Sequence, residues 1–132
     1  MSISYQQEAH FDLDEMLRVY QASGINRPLQ DRERMAVMLA SANLLVTARE
    51  NGKLIGVARC LTDRAYVVYI CDLLVDKACQ QQGVGKALLQ AVQQATGPQV
   101  QQLLRSAPSA MQYYPKVGFT AVDNAFDIQR QY

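Results

Sequence analysis

The sequence predicts a mixed α/β domain in which helices pack against a mostly antiparallel sheet. Three observations support this: the hydrophobic period changes between helical and strand values along the chain, Asn51-Gly52 gives a two-residue hairpin signal, and a strongly amphipathic stretch follows a long β-branched run. A chain of 132 residues falls within the usual size of one domain. Residues 1–132 are therefore predicted to form a single unit.

The N-terminal part is predicted to be a strand followed by two helices. Residues 2–8 have the composition of the strand, and Asp12 can cap a helix over residues 13–22 that Gly24 ends. A second helix opens at residues 31–34 and continues with apolar residues at helical spacing. We expect the two helices to pair on one side of the sheet.

The middle of the chain predicts three consecutive strands. Residues 44–48 and 54–58 flank the Asn51-Gly52 signal and form a hairpin. Residues 65–71 are a nearly unbroken β-branched and aromatic run that continues to Val75. Such a run is typical of a central strand that is buried on both faces.

The C-terminal part is predicted to be helix, strand, helix, strand. Residues 84–95 have the most regular helical stripe, which Gly97 ends. Residues 100–106 can return as a parallel strand, residues 108–117 form a short helix, and residues 126–132 form a last strand. The complete order is β-α-α-β-β-β-α-β-α-β.

Composition excludes several classes of function. Thirteen basic against twelve acidic side chains provide no electrostatic footprint for nucleic acid, which favours a small-molecule ligand. The N-terminus lacks a signal-peptide pattern and the chain lacks a membrane-length apolar stretch, so a cytoplasmic location is expected. The lone His10 disfavours a catalytic triad or a zinc site, and Cys60, Cys71 and Cys79 are expected to be reduced thiols without a metal.

A glycine-rich loop opens the most regular helix. Gly83-Val84-Gly85 keeps Cβ atoms away from the first turn, where free N–H groups and the helix dipole favour an anion such as a pyrophosphate. A Walker loop is excluded because Ala87 follows Lys86, and a dinucleotide fingerprint is excluded because Leu88 stands where a small residue is needed. Alone, the glycines could instead allow close helix-to-strand packing.

Two motifs together resemble a known family. Asp72-Leu73-Leu74-Val75-Asp76-Lys77-Ala78-Cys79-Gln80-Gln81-Gln82-Gly83-Val84-Gly85-Lys86 resembles the acetyl-CoA motif of the GNAT superfamily, and Tyr113-Tyr114-Pro115-Lys116-Val117-Gly118-Phe119 resembles its aromatic-Tyr-x-Lys-x-Gly-Phe element. The predicted element order is similar to that fold over essentially the whole chain. The resemblance implies an acetyl-CoA-dependent N-acetyltransferase whose sheet contains one splayed parallel strand pair.

The resemblance also implies which residues hold acetyl-CoA. Leu73 and Val75, with Leu74 between them, would pair through their backbone with the pantetheine arm, as an added strand does. Main-chain amides would hold the pyrophosphate, so side-chain identity matters less than glycine. The residues assigned to this region are Gln80, Gln81, Gln82, Gly83, Val84, Gly85 and Lys86, although Lys86 could equally be a solvated helix lysine.

The same resemblance implies that Tyr114 is the general acid that protonates the leaving thiolate. The alternative is that Tyr114 belongs to the core, and Tyr113 is interpreted as a packing residue. The family often has Asn seven residues before this Tyr, where the present chain has Ala107. Ser109 or water could replace the lost contact.

The base is left open. Tyr69, Cys71 and Asp72 are candidates on or beside one strand face, and a water relay is a further alternative. A Cys71 nucleophile is disfavoured because a thiol in an apolar strand is usually inert.

The acceptor is predicted to be a primary amine of a small molecule or a protein. Residues 24–34 would shape its site, and Asp31, Glu33 and Asp63 could attract a cation, although exposed carboxylates are usually only solvated. The alternative function is a non-catalytic acetyl-CoA-binding module. A homodimer could form through pairing of residues 126–132.

Overall fold

The computed structural model describes residues 2–132 and confirms the predicted fold class. Five strands form one sheet with the spatial order β1-β2-β3-β4-β5. The first four strands are antiparallel to their neighbours, whereas β5 runs parallel to β4. The strands are β1 Ile3–Gln7, β2 Leu44–Glu50, β3 Lys53–Thr62, β4 Val67–Val75 and β5 Gln101–Leu104.

Three helices accompany the sheet: α1 Leu13–Ser23, α2 Arg32–Ser41 and α3 Val84–Thr96. Side chains cap the first two, because Asp12 accepts the Glu15 N–H group and Asp31 accepts the Arg34 N–H group. Both caps agree with the predicted helix starts. Across residues 2–132, every helix is too short or too polar to cross a lipid bilayer.

The sheet separates two apolar clusters. On one face, α1 and α2 pack on the sheet as predicted, and on the other face α3 does so. Buried members of the α1/α2 cluster include Met16, Tyr20, Met35, Leu39 and Leu74. Buried members of the α3 cluster include Val46, Ile55, Ile70, Leu88 and Val92. Helices therefore cover both faces of the sheet.

The β2–β3 hairpin forms at the predicted turn. Asn51 and Gly52 both have positive φ, at 53° and 82°, which matches the backbone twist that a two-residue hairpin needs. Pairing runs from Leu44 opposite Cys60 to Glu50 opposite Lys53, so both strands are longer than the apolar runs that predicted them.

The prediction of one helix over residues 108–117 is wrong. The segment contains two short 3₁₀ turns, Pro108–Ala110 and Tyr114–Val117. Pro115 is the physical reason, because it has no N–H group and its ring clashes with the carbonyl one helical turn earlier. Gly118 ends the second turn with φ of 102°.

The predicted last strand over residues 126–132 does not form in the structure. Phe126 is 97% exposed and Ile128 is 98% exposed, so neither side chain contributes to the core. Strand pairing is long-range, and an alternating apolar pattern alone does not supply a partner. The proposed homodimer through this segment stays a prediction.

Strand β4 differs from the prediction in two respects. It begins at Val67 rather than at residue 65, because the Asp63 carboxylate accepts the N–H groups of Ala65, Tyr66 and Val67 in a turn. It is also not buried on both faces, since its residues alternate between buried and half-buried. The half-buried residues include Cys71, which lines a cleft.

Candidate active site

A cleft opens where β4 and β5 separate. Their parallel pairing ends at Ile70 opposite Leu104, and a bulge follows at once: Arg59 of β3 pairs with Asp72 and Cys60 pairs with Ile70, so Cys71 is skipped. A bulge bends its strand and increases the local twist. The resulting cleft of about 1210 Å³ has residues 71–75 on one wall and residues 104–110 on the other.

The bulge also changes which face the β4 side chains occupy. Ile70, before the bulge, belongs to the α3 cluster, whereas Leu74, after it, belongs to the α1/α2 cluster. In a regular strand these residues would lie on the same face. The extra residue thus turns Asp72 towards α1 and the α1–α2 loop.

Asp72 is the centre of a buried polar cluster. Its carboxylate has 0% exposed side-chain area and accepts hydrogen bonds from Tyr20 Oη at 2.7 Å, Arg27 Nε at 2.6 Å and Arg59 Nε at 2.5 Å. Burial opposes ionisation, but the Arg59 hydrogen bond and charge, helped by Tyr20 and Arg27, hold the pKa of Asp72 below its ordinary value. A carboxylate that accepts three hydrogen bonds and has a lowered pKa is poorly suited to accept a proton, which argues against Asp72 as the base.

The other two candidates for the base differ from Asp72. Burial raises the pKa of the Cys71 thiol, so Cys71 is a weak nucleophile as expected. Tyr69 lies two residues before the bulged Cys71 and also lines the cleft.

The loop after β4 is held by its own hydrogen bonds. The Asp76 carboxylate accepts the Ala78 N–H group at 2.9 Å and starts the 3₁₀ turn Lys77–Cys79. The Gln80 side chain donates to the Val75 carbonyl at 3.1 Å and folds the loop back on the strand. Gln81 then has positive φ, at 68°, which reverses the chain before α3.

The N-terminus of α3 has no side-chain cap. Gly83 occupies the cap position with φ of 77°, and the first backbone bond of the helix runs from the Ala87 N–H group to the Gly83 carbonyl at 3.0 Å. The N–H groups of Val84, Gly85 and Lys86 therefore lack intrahelical acceptors. Because α1 and α2 both have aspartate caps, α3 is the helix whose free donors and dipole suit an external anion.

The two glycines of this turn serve different purposes. A Cβ at Gly83 would meet nothing within 4 Å, so open space faces that position. A Cβ at Gly85 would lie 2.8 Å from Tyr113 Oη, so the helix start and the aromatic motif are in direct contact there. Tyr113 is thus a packing residue between the two motifs, in agreement with its interpretation from the sequence.

Tyr114 belongs to the aromatic motif and also lines the cleft. Its ring makes edge contacts with Tyr113 at 5.3 Å and with Phe119 at 5.7 Å, measured between centroids. Burial, and secondarily the neighbouring Tyr113, raises the pKa of Tyr114, so its hydroxyl is protonated at neutral pH. Among residues 2–132, every buried polar side-chain atom has a hydrogen-bond partner. Because the Tyr114 hydroxyl makes no hydrogen bond within these residues, it is not buried, and it is accessible to solvent where Tyr114 lines the cleft.

The cleft brings together only part of the predicted cofactor site. Leu73, Leu74, Val75, Gln80 and Tyr114 all line it. Lys86 lines a neighbouring groove beyond β5 instead. The side chains of Leu74 and Val84 are buried in the core, so only their backbones could contact a ligand. Besides Lys86, the predicted residues outside the cleft lining are those of the loop and the first turn of α3: Gln81, Gln82, Gly83, Val84 and Gly85.

Sequence reasoning missed the arginines that line the same cleft. Arg27 is 45 residues from Asp72 along the chain, and no local spacing predicts their contact. Arg59 offered a signal, because a guanidinium within the apolar stretch of β3 must find a partner when it is buried. The predicted cation-attracting acids Asp31 and Asp63 instead accept backbone N–H groups, and neither of them lines the cleft.

Comparison with protein families identifies the chain. The family described as "Acetyltransferase (GNAT) domain" matches residues 7–129, which is nearly the whole sequence. The chain belongs to the GNAT acetyltransferase family. It is therefore an acyltransferase, with acetyl-CoA as its cosubstrate, and the alternative of a non-catalytic binding module is not supported.

Solved structures agree with the GNAT fold. A probable acetyltransferase from meticillin-resistant Staphylococcus aureus has a TM-score of 0.81 and 20% identity, covering 99% of this chain and 100% of its own. A GNAT-family acetyltransferase from Streptococcus pneumoniae has a TM-score of 0.72 and 21% identity, covering 98% and 100%. The aminoglycoside N-acetyltransferase AAC(6')-Iy, solved with CoA, has a TM-score of 0.75 and 17% identity, covering 99% and 96%. A comparison with curated protein sequences found no match.

Proposed function

We propose that this GNAT protein transfers acetyl directly from acetyl-CoA to a primary amine of a small molecule or protein, through a ternary complex. The observation that carries the proposal is the gap between β4 and β5, which Tyr114 lines and which begins at the bulge. An extended pantetheine arm can add to the open edge of β4 as a strand does. The neighbour AAC(6')-Iy, an aminoglycoside N-acetyltransferase, supports a small-molecule amine as the acceptor class.

Main-chain groups hold the cofactor in this proposal. Leu73 and Val75 line the cleft beyond the end of the β4–β5 pairing at Leu104, and in our proposal their backbone pairs with the amides of the pantetheine arm. The loop Gln80-Gln81-Gln82 leads from that wall to α3, whose free N–H groups at Val84, Gly85 and Lys86 bind the pyrophosphate. Ser109 lines the same wall as Ala107 and supplies a hydroxyl near the position where the family often has Asn.

Tyr114 acts as the general acid. The acceptor nitrogen attacks the thioester carbonyl, a C–N bond forms, and the C–S bond breaks with its electron pair on sulfur. The emerging thiolate takes the proton of Tyr114, which burial keeps protonated at neutral pH. The proton that the nitrogen releases as the amide forms returns through solvent to the Tyr114 phenolate. Backbone N–H groups of the bulged strand stabilise the negative charge that develops on the carbonyl oxygen.

The acceptor amine loses its proton to solvent through the open cleft. Asp72 accepts three hydrogen bonds and has a lowered pKa, and Cys71 has a raised pKa and stays protonated, so neither side chain is suited to be a base near neutral pH. The amine must be neutral to attack, and its own pKa then sets the fraction that reacts. The rate is accordingly expected to rise with pH towards the pKa of the amine used.

Tyr114→Phe tests the mechanism, with Tyr66→Phe as the matched control, because Tyr66 is an exposed ring in the turn before β4. Release of free CoA thiol is measured with a panel of amines, and CoA binding is measured by calorimetry. Loss of a general acid is expected to lower kcat by about 10²-fold or more without changing CoA affinity. An unchanged kcat in Tyr114→Phe would remove Tyr114 from the mechanism.

A further inference from the structure

The acceptor side of the cleft has an excess of positive charge. Arg27 from the α1–α2 loop, Arg34 from α2 and Arg59 from β3 all line it. Among the residues that the structure describes, Asp72 is the one acidic side chain in the lining. The near-zero net charge of the chain conceals this local imbalance.

The imbalance is sharpest around Asp72. Its single negative charge, with 0% exposed area, faces two guanidinium groups, and those of Arg59 and Arg27 are 11% and 31% exposed. The cluster therefore has a net charge of about +1 in a place where water screens poorly. A half-buried positive charge beside a cleft favours an anion as its next partner.

The geometry of Arg27 leaves donors for that anion. Its Nε bonds Asp72, its Nη2 donates to the Cys71 carbonyl at 3.0 Å, and its Nη1 donates to the Asn26 carbonyl at 2.7 Å. A guanidinium has five N–H donors in a rigid fork, so two remain. The contacts hold the fork at the bulge, where the acetyl group is to be transferred.

Arg27 is also too far from the cofactor phosphates to be explained by them. The wall from Cys71 to Val75 extends four residues, or about 13 Å, before the phosphate loop begins. The charge at the bulge therefore serves the acceptor rather than the pyrophosphate.

We propose that the acceptor is an amine that also carries a carboxylate, which Arg27 binds through its free donors while Arg34 adds positive charge nearby. This inference rests on the proposed acetyl transfer and names its substrate class. It disfavours polycationic amines such as aminoglycosides, because Asp72, the acidic side chain that lines the cleft, already pairs with Arg27 and Arg59, and the lining arginines repel cations.

The test compares matched amines at saturating acetyl-CoA. The pairs are 4-aminobutyrate against butylamine and L-phenylalanine against phenethylamine, with kanamycin as a polycation. In at least one pair, kcat/KM is expected to be at least about tenfold higher for the carboxylate member, since charge-assisted hydrogen bonds are the strong class. Equal values within both pairs, or a preference for kanamycin, would overturn the inference and leave acetyl transfer intact. No turnover on any of these amines, despite CoA binding, would overturn the inference, and a further lack of turnover on lysine-containing peptides would overturn the proposed function.

Variants test which arginine causes the preference for amines that carry a carboxylate. Arg27→Gln is expected to raise KM for the preferred carboxylate amine about tenfold and to leave KM for its uncharged partner unchanged. Arg32→Gln is the control, because that guanidinium pairs with Asp14 on the surface. Arg34→Gln, at an exposed side chain, is expected to lower the same preference without loss of folding, and it decides the matter if Arg27→Gln does not fold. Unchanged preference in both cleft variants would refute the assignment.

Discussion

Replacing Asp72 by asparagine is expected to destabilise the protein by about 3–5 kcal/mol, the usual cost of removing one partner from a buried ion pair. The side chain keeps its size, so packing is preserved and the effect reports charge. Two guanidinium groups, at 2.5 Å and 2.6 Å from the carboxylate, lose their counter-charge, and Arg59 is too buried to recover full hydration. The Tyr20 hydroxyl also loses its ionised acceptor.

Urea unfolding followed by circular dichroism measures this loss. With a slope of about 2 kcal/mol per molar urea, a loss of about 4 kcal/mol moves the midpoint down by about 2 M. Asp14→Asn is the matched control, because it also removes the partner of an arginine, but its carboxylate is 81% exposed. A change below about 1 kcal/mol is expected there. Equal midpoints for the two variants would refute the view that the Asp72 cluster is a stabilising centre.

The pH dependence of the same cluster has a defined sign. The folded pKa of Asp72 lies below its ordinary value, so its contribution to stability is fully present above the unfolded pKa of about 3.9. The contribution is lost as the pH falls below that value and through the folded pKa. In Asp72→Asn this part of the acid sensitivity is expected to be absent.

Two further predictions concern the phosphate site and the N-terminal strand. Gly83→Glu is expected to weaken CoA binding at least about tenfold in calorimetry, because it places a carboxylate in the open space before α3. The control Gly52→Glu, at a glycine of the hairpin turn that also has positive φ and open surroundings, should leave CoA affinity unchanged. Equal CoA affinities of the two variants would show that the pyrophosphate lies elsewhere. Hydrogen bonds from Arg49 lower the pKa of Glu8 from 4.5 to about 2, against the effect of burial. Glu8→Gln should therefore lower the free energy of unfolding by about 1–3 kcal/mol at pH 7 and make it less sensitive to acid between pH 4.5 and pH 2, as measured by urea unfolding with exposed Glu33→Gln as the control. A pH profile of stability that matches wild type would contradict the role of this pair.

Local signals predicted most of the fold. The local signals are the Asp12 cap, the helix start at residues 31–34, the Asn51-Gly52 turn and the amphipathic stripe of α3. Each depends on residues within a few positions of one another, and all are present in the structure. Local signals failed for the last two predicted elements, the helix over residues 108–117 and the strand over residues 126–132. Pro115 prevents a regular helix despite its apolar neighbours, and the apolar alternation near Phe126 is not matched by a pairing partner.

By itself, the sequence determined the order of the main elements, the glycine start of α3 and the presence of the two motifs, whereas the contact of these motifs through Gly85 and Tyr113 is seen only in the structure. Only the tertiary structure decided the bulge at Cys71, the gap it opens, and the contact of Asp72 with arginines from a distant loop and strand. The physical reason is the separation along the chain of the residues that interact. Caps, turns and stripes are set by neighbours in the chain, whereas strand registers and buried ion pairs depend on which segments pack together, and here that packing also determines the charge of the acceptor site.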